Sequence, residues 1–481
     1  MMNFKPIFYV LGFLLLVLST AMLAPILVDL SNNNDEWKMF AGVQMATAFV
    51  GFALVLINRV DKFKVNLRET FLLTSLCWVF MSAFGALPFC FSTANLAYPR
   101  AFFEAMASIT TTGSTTMTGL DQLPHGILLW RFLLLWIGGI GFLMIALAIF
   151  PLLQISGMQL FKSQSFHIEK VMPKGHHIAA YICATYTALT VLCAIFLKQA
   201  GMSTFDAICH AMAAISTGGI STHDAGLAWF NSAAVDVVLV TFMIAGSLPF
   251  VHYLRIVKGD FAVLWRDSQV RVFFSILLTL TLSVATWIYL RGHMTMADAL
   301  HESLFFVTSY ITTTGFINED HSTWGSFAVG IAFFAIFCGA CSGSTAGGVK
   351  IFRIQILFLM LKQQAYKLIS PNGMFPVRYN HKMVEPGLQA SVAGFFFLYI
   401  MAWMVLGVLL QLTGLDFETA FSGSIAAISN TGVGAGDMIG PSGNFAGLPD
   451  AAIWIMSFGM LFGRVEFLAI MVLLTPRFWK V

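Results

Sequence analysis

A five-residue phrase occurs four times along the chain. It reads Ile109-Thr110-Thr111-Thr112-Gly113, Ile215-Ser216-Thr217-Gly218-Gly219, Ile311-Thr312-Thr313-Thr314-Gly315 and Ile428-Ser429-Asn430-Thr431-Gly432, with glycines 106, 96 and 117 residues apart. Such spacing means that one structural unit was used four times. The likeness extends upstream. Twelve residues before each glycine stands a small residue (Ala101, Ala207, Ser303, Ala420), then an apolar one (Phe102, Ile208, Leu304, Phe421). Six before it the residue is small again (Ala107, Ala213, Ser309, Ala426). Each unit therefore reads as about 12 residues of helix with a small, packable face, closed by Ser, Thr or Asn and then Gly.

Composition sets the medium. Of 481 residues, 58% are hydrophobic and 10% charged, against ~25% charged in soluble domains. Apolar runs long enough to cross ~30 Å of hydrocarbon cover 4–30, 39–58, 70–92, 126–153, 177–201, 232–254, 272–290, 325–362, 387–413 and 449–475. The first has no small-residue cleavage site before Pro25 and reads as an anchored helix, not a signal peptide. Twenty of the 26 Lys and Arg fall at residue 5 and in 58–69, 154–177, 255–271, 350–385 and 477–480. These are alternate connections, so they and both termini are expected to face the cytoplasm. Most acids fall on the other side, near the polar phrases: Asp35, Glu36, Asp121, Asp224, Asp298, Glu319, Asp320, Asp416, Glu418, Asp437 and Asp450. An acidic outer surface concentrates cations. The seven cysteines mostly sit in apolar spans as small core residues, and Cys338-x-x-Cys341 lacks the second ligand pair that zinc needs.

Twelve residues of helix reach only ~18 Å, so each repeated helix is expected to enter the membrane and turn back. Irregular backbone at that depth is tolerated only when buried in protein or lining a wet cavity. Four such ends meeting on one axis satisfy that condition, and their carbonyls can replace an ion's water shell. The negative ends of the helices favour cations, and glycine allows the positive φ that aligns successive carbonyls. One Thr-Gly phrase alone would be a helix cap; four in register, each between spanning helices, argue for an ion path.

On these residues the chain resembles the TrkH/TrkG branch of the Trk/Ktr/HKT potassium transporter superfamily, over nearly its whole length. The resemblance implies an all-α membrane protein of four fused outer helix–pore loop–inner helix repeats around a pseudo-fourfold pore, preceded by two N-terminal transmembrane helices. The expected divisions are 1–66 for the helix pair and 67–155, 174–260, 268–365 and 384–481 for the repeats. The resemblance implies that potassium is held by backbone carbonyls of Thr111, Thr112, Thr217, Gly218, Thr313, Thr314, Asn430 and Thr431. The filter glycines would be Gly113, Gly219, Gly315 and Gly432, supported by Thr110, Ser216, Thr312 and Ser429. The second and fourth phrases depart from Thr-Thr-Thr-Gly, so the expected pore is only approximately fourfold.

The run 325–362 is too long for one crossing and is interrupted by Gly339-Ala340-Cys341-Ser342-Gly343-Ser344-Thr345-Ala346-Gly347-Gly348-Val349-Lys350. Four glycines cost roughly 1 kcal/mol each against alanine in a helix, so the run is expected to be irregular and to lie in a cavity. Val349 separates Gly348 from Lys350 and no strand precedes it, which argues against a phosphate loop. By resemblance, Gly343, Ser344, Thr345, Ala346, Gly347, Gly348 and Lys350 would form an intramembrane gate, with a simple helix kink as the alternative. For Lys350 a cytoplasmic boundary position is the commoner explanation. Arg464 lies some 12 residues before Pro476, too deep to snorkel easily; a cost of roughly 2.5–3.5 kcal/mol requires that it face an interior cavity. The resemblance aims it at the gate. Glu466, two residues on, lies on another helix face and can form an ion pair elsewhere. Gly138-Gly139-Ile140-Gly141 reads as a close-packing face, and His176-His177 and His301-Glu302 as solvated helix ends without metal-like spacing.

The resemblance implies potassium uptake across a bacterial inner membrane, and the expected mode is channel-like passage. The alternatives are a potassium- and sodium-permeable protein, a symporter coupled to sodium or protons, and a membrane-embedded enzyme, for which no catalytic cluster is found. No Rossmann or Walker signature and no sizeable soluble domain is present, so the chain itself is expected to hold no cofactor. The resemblance implies a homodimer in membrane lipid. It also implies a cytosolic TrkA-like nucleotide-binding ring that docks on basic loops such as 154–177, 255–271 and 350–385. Nucleic acid is not an expected partner.

Overall fold

The computed structural model describes all residues except 1, 60–65, 149–174, 293, 381, 437, 442, 466 and 481. Among the described residues seven helices are long and apolar enough to span a membrane: Lys5–Ser31, Trp37–Ile57, Leu67–Phe91, His125–Ile145, Ala179–Gln199, Ser268–Leu290 and Pro386–Gln411. They match seven of the ten expected runs. The other three are the inner helices of the second, third and fourth units. The second is bent by 99° between Ala233–Ser247 and Phe250–Val257, at Pro249, which cannot supply the amide hydrogen a continuous helix needs. The third consists of Ser326–Cys338 and Ile351–Ile369, on either side of the Gly-rich run. The fourth comprises Asp450–Val465 and Phe467–Leu474; the expected ion pair of Glu466 lies outside the described residues, as does most of the connection 154–177.

Four short helices carry the repeated phrase: Tyr98–Ile109, Thr204–Ser216, Met296–Ile311 and Phe417–Ser429. At 12, 13, 16 and 13 residues none crosses the membrane. We call them pore helices 1–4. Their starts are fixed by ordinary capping. Ser203 and Thr295 accept from the amides of Asp206 and Asp298, and Asp416 accepts from the amide of Thr419 at 2.9 Å. Bonds from the Thr419 side chain and amide hold the Asp416 carboxyl below its usual pKa. Some of the one-sided acids thus have a local structural task.

The outer helices of units 1–4 are Leu67–Phe91, Ala179–Gln199, Ser268–Leu290 and Pro386–Gln411, and inner helix 1 is His125–Ile145. Each pore helix packs against the outer and inner helices of its own unit and the inner helix of the unit before it. Pore helix 1 meets inner helix 4, pore helix 2 inner helix 1, pore helix 3 inner helix 2 and pore helix 4 inner helix 3. That cyclic pattern closes the four units on themselves. The N-terminal pair, Lys5–Ser31 and Trp37–Ile57, packs on the outside of the first unit, where the buried Asp29 carboxylate accepts from the amide of Gly126 at 2.9 Å.

Candidate functional site

The four pore helices end in one way. Two residues before each glycine the chain turns left-handed: Thr111, Thr217 and Thr313 at φ 54° and Asn430 at 55°. The amide of that residue donates to the carbonyl three back (Ser108, Ala214, Tyr310, Ala427). The next amide, of Thr112, Gly218, Thr314 or Thr431, donates to the carbonyl five back, at 2.8–3.0 Å. This is the Schellman closure of a helix, and the acceptors five back are the small residues Ala107, Ala213, Ser309 and Ala426. A third bond repeats as well. The hydroxyls of Thr110, Ser216 and Thr312 donate to the carbonyls of Met106, Met212 and Thr308 at 2.6–2.7 Å, and that of Ser429 to the carbonyl of Ile425. Left-handed backbone at a residue other than glycine costs on the order of 1–3 kcal/mol. Three threonines adopt it here, held by the closing bonds of the helix end.

The glycines follow at φ 85°, 56°, 82° and 80°. The intervening residues Thr112, Gly218, Thr314 and Thr431 do not have positive φ, and this alternation turns successive carbonyls to one side. A Cβ added at Gly113 would collide with the carbonyl oxygen of Gly218. At Gly219 it would strike that of Thr314, at Gly315 that of Thr431, and at Gly432 that of Thr112. Each glycine thus lies against the carbonyl that precedes the next glycine in the cycle, and the four phrases form a closed ring of backbone oxygens. All four glycines line one cavity of about 560 Å³, shared with Asp224, Glu319 and Asp320. His223, from the same wall, bonds to Asp121 at 2.5 Å, and that bond holds the Asp121 carboxyl below its usual pKa.

The two irregular phrases have local causes. Where the first and third phrases have threonine, Gly218 has no room for a side chain: Leu135 of inner helix 1 fills the space. Asn430 occupies the left-handed position that asparagine tolerates best, and its Nδ2 donates to Thr112 Oγ1 at 3.0 Å and to the Met460 carbonyl at 2.9 Å. It ties unit 4 to unit 1.

Behind the first phrase lies a charge pair that the sequence reading passes over. Arg131 Nε stands 3.5 Å from Glu104 Oε2, each side chain 1% exposed. Glu104 accepts from Thr115 Oγ1 at 2.6 Å, from the amide of Met117 at 3.0 Å and from that of Thr116. His210 holds the same place in unit 2 and bonds Ser221 Oγ at 3.1 Å. Nine residues before the glycine in each case, a polar side chain clamps the strand leaving it. Removing one partner of a buried pair costs about 3–5 kcal/mol, so Glu104→Ala should lower the thermal unfolding midpoint of the purified protein sharply. An unshifted midpoint would mean that the clamp carries no load.

On the opposite side of the ring lies the Gly-rich run. Thr345 Oγ1 donates to the carbonyls of Ile215 and Gly246, both at 3.0 Å. The Gly347 amide donates to Thr313 Oγ1 at 2.7 Å and the Gly348 amide to the Ser429 carbonyl at 3.1 Å. Gly343 O accepts from the Phe250 amide at 2.9 Å, next to the Pro249 bend, and Ser344 Oγ bonds Cys341 O at 2.6 Å. The run therefore touches the phrases of units 2, 3 and 4. Arg464 Nη1 donates to Thr345 O at 3.1 Å, and its guanidinium lies 4.0 Å from the Phe142 ring centre. Lys350 is not at a solvated boundary. It is 6% exposed, bonds Ala346 O, and lies 5.4 Å from the same Phe142 ring. Residues Ala346, Gly347, Gly348, Lys350, Asn430 and Arg464 line one small cavity. The side chains of His176 and His177 lie outside the described residues.

The whole chain is similar to known proteins in sequence and in fold. The chain is 39% identical to the Trk system potassium uptake protein TrkI of Halomonas elongata, over 99% of this chain and 97% of the other. It is 34% identical to TrkH of Escherichia coli over the full length of both. The crystal structure of the potassium transporter TrkH from Vibrio parahaemolyticus superposes with a TM-score of 0.92 at 33% identity, again over both whole chains. The family of cation transport proteins named TrkH matches residues 37–480, and the chain belongs to that family.

Proposed function

We propose that this protein takes up potassium by passing it through the ring of carbonyls of Thr111, Thr112, Thr217, Gly218, Thr313, Thr314, Asn430 and Thr431. The observation that carries the reading is the closed cycle in which each glycine lies against the next unit's carbonyl. An ion leaving water needs dense replacement by oxygens, and a ring of fixed backbone dipoles supplies it without side-chain charge. The matching relatives are named potassium uptake proteins, which agrees. Gly113, Gly219, Gly315 and Gly432 set the close approach, and Thr110, Ser216, Thr312 and Ser429 brace the helix ends behind it. Residues 343–350 and Arg464 act as a gate beneath it.

The positive-inside distribution supports an orientation with the 560 Å³ cavity outside, the gate toward the cytoplasm of a bacterial inner membrane and both termini cytoplasmic. Nucleotide control, if the system has it, belongs to a separate cytosolic ring docking on the basic loops, and the assembly is a homodimer. The test is flux into liposomes holding the purified protein. Rubidium should exceed sodium at least tenfold and should not depend on an imposed sodium or proton gradient. Equal permeation of rubidium and sodium overturns the ring assignment; dependence on a gradient favours the coupled alternative.

A further inference from the structure

His301 and Glu302 are adjacent on pore helix 3, and from the sequence they have no third partner. The fold brings one. Asp236, in the first turn of inner helix 2, reaches His301 Nε2 at 3.2 Å. His301 Nε2 is also 4.0 Å from Glu302 Oε1. One ligand atom from each of Asp236, His301 and Glu302 falls within 4.8 Å of the other two. Asn318, three residues past Gly315, completes the group: its Nδ2 donates to Glu302 Oε2 at 2.7 Å and faces Asp236 Oδ2 at 3.5 Å.

We propose that this group is a binding site for a divalent transition-metal cation such as zinc, joining unit 2 to unit 3 beside the pore entrance. The ligand set is mixed, one imidazole and two carboxylates, which suits zinc better than the all-oxygen shells that calcium takes. Asp236 is nine-tenths buried, and the two carboxylates, bridged here by the Asn318 amide and His301, would both gain from a cation between them. The half-buried Asn318 amide offers a further oxygen. Asn318 Oδ1 is enclosed and has no hydrogen-bond partner among the described residues. A half-turn of that amide, whose two ends are interchangeable in shape, would bring Oδ1 to the carboxylates. Without a cation that orientation is repulsive; with one it supplies a fourth ligand. Closing the group to metal–ligand distances of ~2.0–2.2 Å requires only small side-chain movements.

Placement gives the site a consequence. Asn318 also lines the cavity that holds the four glycines. A bound divalent ion adds positive charge at that wall, where monovalent cations gather, and it staples inner helix 2 to pore helix 3.

The test uses metal-free purified full-length protein. Zinc titration by calorimetry should show one site per chain in wild type, with calcium giving none. Affinity should fall at least ~10-fold in Asp236→Asn, His301→Gln and Glu302→Gln, each checked for folding by its metal-free melting curve. Zinc should raise the melting temperature of wild type and of none of these variants. In liposomes, zinc should lower rubidium flux of wild type and leave the variants unaffected. Zinc binding that is equal in wild type and in every folded variant overturns the assignment, as does a zinc effect on flux that persists in them. The binding measurements do not depend on the transport reading.

Discussion

Gly113→Ser should abolish most of the discrimination between rubidium and sodium while leaving the protein folded. The position has φ +85° and no space: a Cβ meets the carbonyl oxygen of Gly218 head on. Both routes of relief damage the ring. If the serine keeps the backbone, the Gly218 carbonyl moves away from the ring axis. If the backbone relaxes, the Thr112 carbonyl turns instead, and Thr112 O is the atom against which Gly432 lies. The disturbance therefore passes to units 2 and 4 within one step. A change of ~1–3 kcal/mol in relative fit corresponds to roughly 5- to 150-fold in selectivity. Gly141→Ser is the control, because among the described residues a Cβ there meets nothing within 4 Å. Rubidium and sodium fluxes, each with the other ion absent, decide the matter. Wild-type selectivity in Gly113→Ser would remove the ring from the conduction path.

What the sequence makes legible here is what recurs at constant spacing. The isoleucine, the small residue six before the glycine and the glycine itself stand at fixed offsets because all belong to one rigid helix end. The small residue takes its place as the acceptor of the Schellman bond, so its periodicity has a backbone cause. Features that depend on chain segments of unequal length were not legible. Gly138, Gly246 and Gly463 each let an inner helix approach the carbonyl of the last isoleucine of its own pore helix, Ile109, Ile215 and Ile428. They form a second repeated element, present in units 1, 2 and 4 and lacking in unit 3 where the Gly-rich run intervenes, but loops of different length hide the match. The left-handed threonines were hidden for another reason. Thr is β-branched and disfavours that region, so local preference argues against the conformation that the ring imposes. Glu104 and Arg131, and likewise Asp236 and His301, come together only through packing between elements. Lys350 misled because a basic residue next to a long apolar run usually marks a boundary, whereas here the run is broken and folds the lysine inward.

Arg464→Ala should raise rubidium flux by roughly an order of magnitude or more. The guanidinium is buried, and among the described residues its Nε and Nη2 have no hydrogen-bond partner. It is held by one bond to Thr345 O and by the face of Phe142. Arginine in that state does two things. It fixes the Gly-rich run through Thr345, whose hydroxyl is itself bonded to the carbonyls of Ile215 and Gly246, so the latch joins units 2, 3 and 4. It also places a positive charge beneath the proposed path for cations. At an effective dielectric of about 20, a unit charge roughly 8 Å from a passing ion raises its energy by ~2 kcal/mol, or about 30-fold in rate. The two contributions separate by mutation. Arg464→Lys keeps the charge and loses the fork that reaches Thr345 O, whereas Thr345→Val keeps the arginine and removes the hydroxyl that binds the run to unit 2. If the run is a plug, both variants and deletion of residues 343–348 should raise flux. If the charge alone obstructs, only Arg464→Ala should. Unchanged flux in all four would reduce the run to a packing kink and leave Arg464 as a structural cation against Phe142.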